Sequence, residues 1–140
     1  VILEAGNLRK FYTLSAKEKQ LFGEAVMLGM AAKLMLLLFP LRVCISTMGK
    51  ASIGTEADRE TLLAIRMAIR RANRLAFWKN RCIVQSITAR WMLRRRKISS
   101  VLTFGVMHDT HDQLIAHAWL KAGDVEIVER GGDFLPLKNL

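Results

Sequence analysis

The chain has 140 residues but only two cysteines, two prolines, one tyrosine and three histidines. Cys44 and Cys82 are 38 positions apart and cannot form the multi-bridge framework that holds small secreted domains together, so a reducing, cytoplasmic setting is expected. No charged-then-apolar signal segment stands at the N-terminal end. There is no internal repeat, low-complexity tract or Pro/Gly-rich linker, and 140 residues suffice for one compact domain with its own core. The expected organisation is a single domain over 1–140, with a helical part over 1–54 and its main body over 55–140.

Acidic residues are also scarce, and unevenly so. The net charge is +10, and between Arg59 and Lys97 twelve basic residues face a single acid, Glu60. Such a field attracts acidic partners, whether nucleic acid or an acidic peptide. The aromatic platforms and recognition motifs of nucleic-acid binders do not accompany it, so no nucleic acid is expected as partner. The apolar run from Ala25 to Phe39 contains Lys33 and falls short of the ~20 residues of a spanning helix, so it reads as a buried core helix, with a peripheral membrane contact through a snorkelling Lys33 as the alternative.

Periodicity divides the chain into a helical half and a strand half. Ser15 followed by Glu18 has the form of a capping box, and Leu21, Phe22, Ala25, Val26 and Leu28 then recur at helical spacing until Pro40 stops the run. A connection through Gly49 and Gly54 leads to a second cap, Thr55 with Asp58. The helix after it has Leu62, Ile65, Met67, Ile69 and Ala72 as its apolar positions. A third helix is predicted from Asn80, a candidate N-cap, to Arg96, where clustered cations suit the negative end of the helix dipole. The segments 98–106, 113–120 and 125–130 are β-branched and aromatic enough for strands, with Gly123 at a tight turn and the tail from Gly131 irregular. Helices first and a small antiparallel sheet after them make an α+β domain.

Cys82 would fall in the first turn of the third helix. Unpaired N–H groups and the positive dipole end favour a thiolate there, Lys79 and Arg81 add to the effect, and the Cys82 N–H can serve as an oxyanion donor. His117 lies in a predicted strand whose alternation puts Gln113, Ile115, His117 and Trp119 on one face. It is the candidate general base, and an acid on the next strand would hold its tautomer. Asp124, Glu126 and Glu129 are the choices. A three-residue loop, Lys121-Ala122-Gly123, places Leu120 opposite Asp124 and His117 opposite Ile127, which favours Glu129. A loop of Ala122-Gly123 brings Glu126 forward instead. The run from His108 to Asp112 sits between strands and reads as polar turn residues, not as a metal site.

Four segments, taken together, carry a family likeness. They are Phe77 to Ser86 around Arg81-Cys82, the basic end Leu93 to Arg96, Leu102-Thr103-Phe104-Gly105-Val106, and Ala116-His117-Ala118-Trp119. In that order and spacing they resemble the leader peptidases of lasso-peptide biosynthesis, the transglutaminase-like, papain-like C-terminal part of the lasso B protein. The helical first half is similar as well. The resemblance implies a cytoplasmic cysteine peptidase that removes the leader from a ribosomally made precursor peptide before an ATP-dependent cyclase closes the core. It also implies the split form, in which a separate recognition protein binds the leader, and it calls for no cofactor. It puts the nucleophile on Cys82 and the histidine on His117. The family's acid, usually aspartate, corresponds to Glu129. Trp78, Asn80 and Trp119 are the candidate substrate-binding residues, with Trp78 and Asn80 also considered as the second oxyanion donor. The competing expectations are a basic nucleic-acid- or peptide-binding module without catalysis, and an acyl transferase on the same fold.

Overall fold

A computed structural model describes residues 15–48, 57–75, 81–130 and 134–139. Four helices, α1 (Ala16–Leu38), α2 (Leu41–Met48), α3 (Arg59–Leu75) and α4 (Arg81–Arg95), precede four strands. The strands are β1 (Val101–His108), β2 (Leu114–Ala122), β3 (Val125–Val128) and β4 (Leu135–Asn139). They form one antiparallel sheet in the order β3-β2-β1-β4. The α+β reading of the sequence is the fold.

Local chemistry sets the helix ends. At α1 the capping box is complete: Glu18 N–H donates to the Ser15 hydroxyl (3.2 Å), and Ser15 N–H donates to the Glu18 carboxylate (2.9 Å). Asp58 precedes α3 and accepts from the Thr61 hydroxyl (2.5 Å), chiefly through which its carboxyl titrates below the ordinary value of 3.8. Thr55, Trp78 and Asn80 lie outside the described residues. α4 closes with a Schellman turn in which Ile98 N–H reaches Leu93 O (2.9 Å) and Lys97 N–H reaches Arg94 O (3.0 Å). Lys97, at φ 56°, takes the left-handed position that glycine fills most cheaply.

The core lies between the helices and one face of the sheet. Leu21, Ala25 and Ala32 of α1 join Leu62, Ile65 and Ile69 of α3 and Val84, Ile87, Met92 and Leu93 of α4. Leu102, Ala118, Leu120, Ala122 and Ile127 complete it from the strands. Each large aliphatic side chain enclosed here contributes about 1.5–3 kcal/mol. Two ion pairs to Glu24 fix α1 to the end of α4. Glu24, only 11% exposed in its side chain, accepts from Arg96 (2.9 and 2.6 Å) and from Arg95 (2.9 Å). The Arg96 hydrogen bond is the main reason that the Glu24 carboxyl titrates below its ordinary value. Arg90 is buried within α4 and donates to Ser100 O (3.1 Å), and burial pushes its guanidinium down to about 10.

Several expectations are corrected. Pro40 ends α1 but also opens α2, since its carbonyl accepts from Val43 and Cys44 N–H (3.0 and 3.1 Å), a helix where the sequence suggested only a connection. The tail is not irregular throughout: 135–139 pair with β1, with a register shift between Phe104 and Gly105 that lets Pro136 sit on the edge strand. Met67 is exposed, and Ala68 takes the inward place on α3. In the β2–β3 hairpin, Ala122 pairs with Val125, so the loop is Gly123-Asp124, with Gly123 at φ 59°. A bulge then pairs Leu120 with Val128 rather than with Asp124. α1 is only partly a core helix: Leu21, Ala25, Gly29 and Ala32 are buried, and its opposite side is exposed.

Candidate active site

The regular β1–β2 register pairs Gly105 with His117, Thr103 with Trp119 and Leu102 with Leu120. Period-two alternation then assigns Ala118, Leu120 and Ala122 to the core face, and His117 and Trp119 to the other. On that second face a small aromatic cluster surrounds the imidazole. Phe134 stacks on His117 with centroids 4.8 Å apart, and Trp119 lies 6.1 Å away at a shallow 23°. The Arg130 guanidinium sits 5.2 Å over the Trp119 ring and donates to Phe134 O, tying the end of β3 to the start of β4 across the site. Trp119 is only 8% exposed, so it backs His117 from behind rather than offering a substrate surface.

A glycine makes this stacking feasible. A Cβ on Gly105 would meet Trp119 Cη2 at 2.6 Å, Trp119 Cζ3 at 2.7 Å and Leu135 O at 2.8 Å. The indole therefore rests directly on the β1 main chain, diagonally beside His117.

His117 Nε2 lies 2.9 Å from the main-chain carbonyl oxygen of Glu129. A carbonyl only accepts, so the proton resides on Nε2 and the Nδ1 lone pair is left available as a base. The acid expected in this role behaves differently from its sequence reading. The Glu129 carboxylate turns away to α3, where Arg66 and Arg70 both donate to it. Asp124 lies in the hairpin turn, 3.4 Å from Arg59, and Glu126 pairs across the ladder with Lys121. Glu129 is thus the one candidate acid that reaches His117, and it does so with its backbone.

Cys82 occupies the first turn of α4 as a half-buried free thiol. α4 packs with Ala118, Leu120 and Ala122 on the core face of the sheet, the face opposite to the one that alternation gives His117. No hydrogen bond joins Cys82 to His117 among the described residues.

The structure therefore brings together His117, Trp119, Phe134, Arg130 and the Glu129 carbonyl, while Cys82, at the start of α4, makes no hydrogen bond to any of them among the described residues. Three of these contributors escaped the sequence reading. Phe134 lay in a tail read as irregular, Arg130 was read only as the end of a strand, and a main-chain acceptor has no signature at all. Gly105 carried the one available signal, a glycine inside a β-branched strand. Elsewhere, Asp109 accepts from His111 and Gln113 N–H (both 2.8 Å), and this holds the 108–112 turn.

Comparison with known protein families matches residues 26–137 to the transglutaminase-like superfamily. The match spans most of the chain, and the protein belongs to that superfamily, which includes cysteine peptidases and acyltransferase-like folds. No curated protein and no solved structure matches it.

Proposed function

We propose that the protein is a cysteine peptidase that removes the leader from a ribosomally made lasso-peptide precursor, with Cys82 as nucleophile and His117 as base. The observation that carries this reading is the state of His117. Its Nε2–H is committed to the Glu129 carbonyl, which leaves Nδ1 free to act as a base toward a free thiol in the first turn of α4. In the reaction, Nδ1 takes the Cys82 proton as the sulfur attacks the carbonyl at the leader–core junction. N–H groups at the start of α4 receive the tetrahedral oxyanion. Collapse breaks the C–N bond, His117 protonates the departing amine, and water hydrolyses the thioester.

The resemblance in the Cys82 and His117 segments supports the substrate class, and membership of the superfamily supports the chemistry. The remaining partners of this reading are a leader-recognition protein and the ATP-dependent cyclase, in the cytoplasm. Arg71 and Arg74 of α3 lie outside the ion pairs found among the described residues and have the sign suited to an acidic leader. Arg59, Arg66 and Arg70 are engaged with acids of the chain itself, which weakens the case for a basic nucleic-acid module.

The test is reconstitution of the precursor, the recognition protein and this chain, read by intact mass. The wild type should release the leader, and Cys82→Ala and His117→Ala should not. Cleavage that persists in Cys82→Ala would refute the nucleophile assignment. A stable acyl product in place of two free peptides would redirect the reading to acyl transfer.

A further inference from the structure

α1 is apolar on both sides. Fully buried are Leu21, Ala25, Gly29 and Ala32, with Leu28, Met35 and Leu36 partly buried against the same core and Gly29 lying against Thr88 of α4. A second set of large apolar side chains faces out: Met27 is 73% exposed, Leu37 69% and Leu38 66%, with Met30 and Leu34 between them. At about 100° per residue these five occupy one sector about 100° wide, nearly opposite the buried one. The exposed surface continues through Phe39 to Val43 of α2. A helix apolar on all sides belongs in a core or in lipid. Here Ala25, Gly29 and Ala32 let the inner side approach the protein closely, while five bulky apolar side chains on the outer side are left to the surroundings, as where helices meet lipid.

Charge selects the occupant. Between Glu24 and Glu56 there is no acidic residue, and the cations there include Lys33, at the edge of the sector, and the exposed Arg42, which adjoins Val43. The chain as a whole is at +10. A second copy would bring two such charges together, face to face, whereas an anionic lipid surface attracts them. The mean hydropathy of α1, 1.8 over its best window, suffices for a spanning helix. Its inner side, however, is occupied by α3 and α4, and Glu24 is bound to Arg95 and Arg96. The helix is therefore built to lie on a membrane, not to cross it.

We propose that the outer face of α1, continued by Phe39 and Val43, docks the protein peripherally on an anionic lipid surface, with Arg42 beside the headgroups. This is independent of the peptidase reading. The test is flotation of the full chain with vesicles of phosphatidylcholine alone or with 30–40% phosphatidylglycerol, a composition of roughly the charge of an anionic leaflet. The wild type should float with the anionic vesicles and do so less at high salt. Leu34→Ser/Leu37→Ser should lower the partition at least tenfold, and Arg42→Glu about fivefold or more, all with unchanged circular dichroism. Leu114→Ser, which removes an equally exposed leucine on β2, should leave it unchanged and separates a defined face from general stickiness. Three outcomes overturn the proposal: no flotation with anionic vesicles, an equal loss in Leu114→Ser, or a dimer by light scattering that Leu34→Ser/Leu37→Ser dissociates while vesicles bind nothing. Should the double variant misfold, Arg42→Glu alone decides, since an unchanged partition contradicts headgroup contact.

Discussion

Gly105→Ala tests whether the aromatic support of His117 matters to the reaction. The added methyl group would lie 2.6 Å from Trp119 Cη2 and 2.8 Å from Leu135 O. Non-bonded carbons settle at about 3.5–4.0 Å, so the indole must retreat by about 1 Å. The second contact is harder to relieve, because Leu135 belongs to the β1–β4 ladder and moves only with its strand. Overpacking costs about 1–3 kcal/mol, and a backbone clash argues for about 2–3, a fall of roughly 6–9 °C in Tm for a chain of this length. The ring that moves flanks His117, and so does Phe134, which packs against both. A base displaced by ~1 Å loses about 10²-fold in turnover. Thermal unfolding by circular dichroism and leader release at saturating precursor measure the two effects separately. Trp119→Phe shortens the offending ring and should restore part of both losses when combined with Gly105→Ala. If Gly105→Ala alone unfolds within about 1 °C of the wild type and cuts at the same rate, the site does not depend on this packing.

Other changes probe separate links. Glu129→Gln loses charge toward Arg66 and Arg70 but keeps the carbonyl, so about 1 kcal/mol of stability should go while turnover stays within about threefold; a drop of about 10³ or more would restore the carboxylate to the triad. Glu24 has a folded-state carboxyl below its ordinary 4.5, so its contribution is complete above that value and fades as pH falls through the folded one. Glu24→Gln should cost about 2 kcal/mol near neutrality, seen as a Tm lower by ~6 °C, and should flatten the acid side of the stability profile below the ordinary carboxyl value of 4.5. Replacement of Lys97 by glycine at φ 56° should add about 0.5–1 kcal/mol, read as a higher urea midpoint with an unchanged slope.

Much of the fold was legible because local signals and burial agree. The Ser15–Glu18 box, the Leu62–Ile65–Ile69 stripe and the cationic end of α4 each name a helix without tertiary help. The hairpin register was not legible, since it depends on a bulge beyond Leu120 that no turn residue announces. β4 was missed because its pairing is wholly non-local: a short segment containing Pro136 becomes a strand only once β1 offers an edge. For the site, Cys82 and His117 could be nominated from residue type and position. The support of the imidazole could not, because it comes from a backbone oxygen and from Phe134, seventeen residues downstream. At position 129 it is the main-chain oxygen, not the carboxylate, that meets His117. Its side chain answers to the arginines of α3, and the chain that carries it answers to His117.

The order of these contacts along the chain has a consequence for biosynthesis. His117 is synthesised before the groups that hold it, at 129, 130 and 134, and β4 is the last of the described elements to leave the ribosome. The helices and the β1–β2 pair can assemble while the imidazole still rotates freely. A nascent chain can therefore pack its helices and first hairpin before the imidazole has its acceptor and its aromatic neighbours.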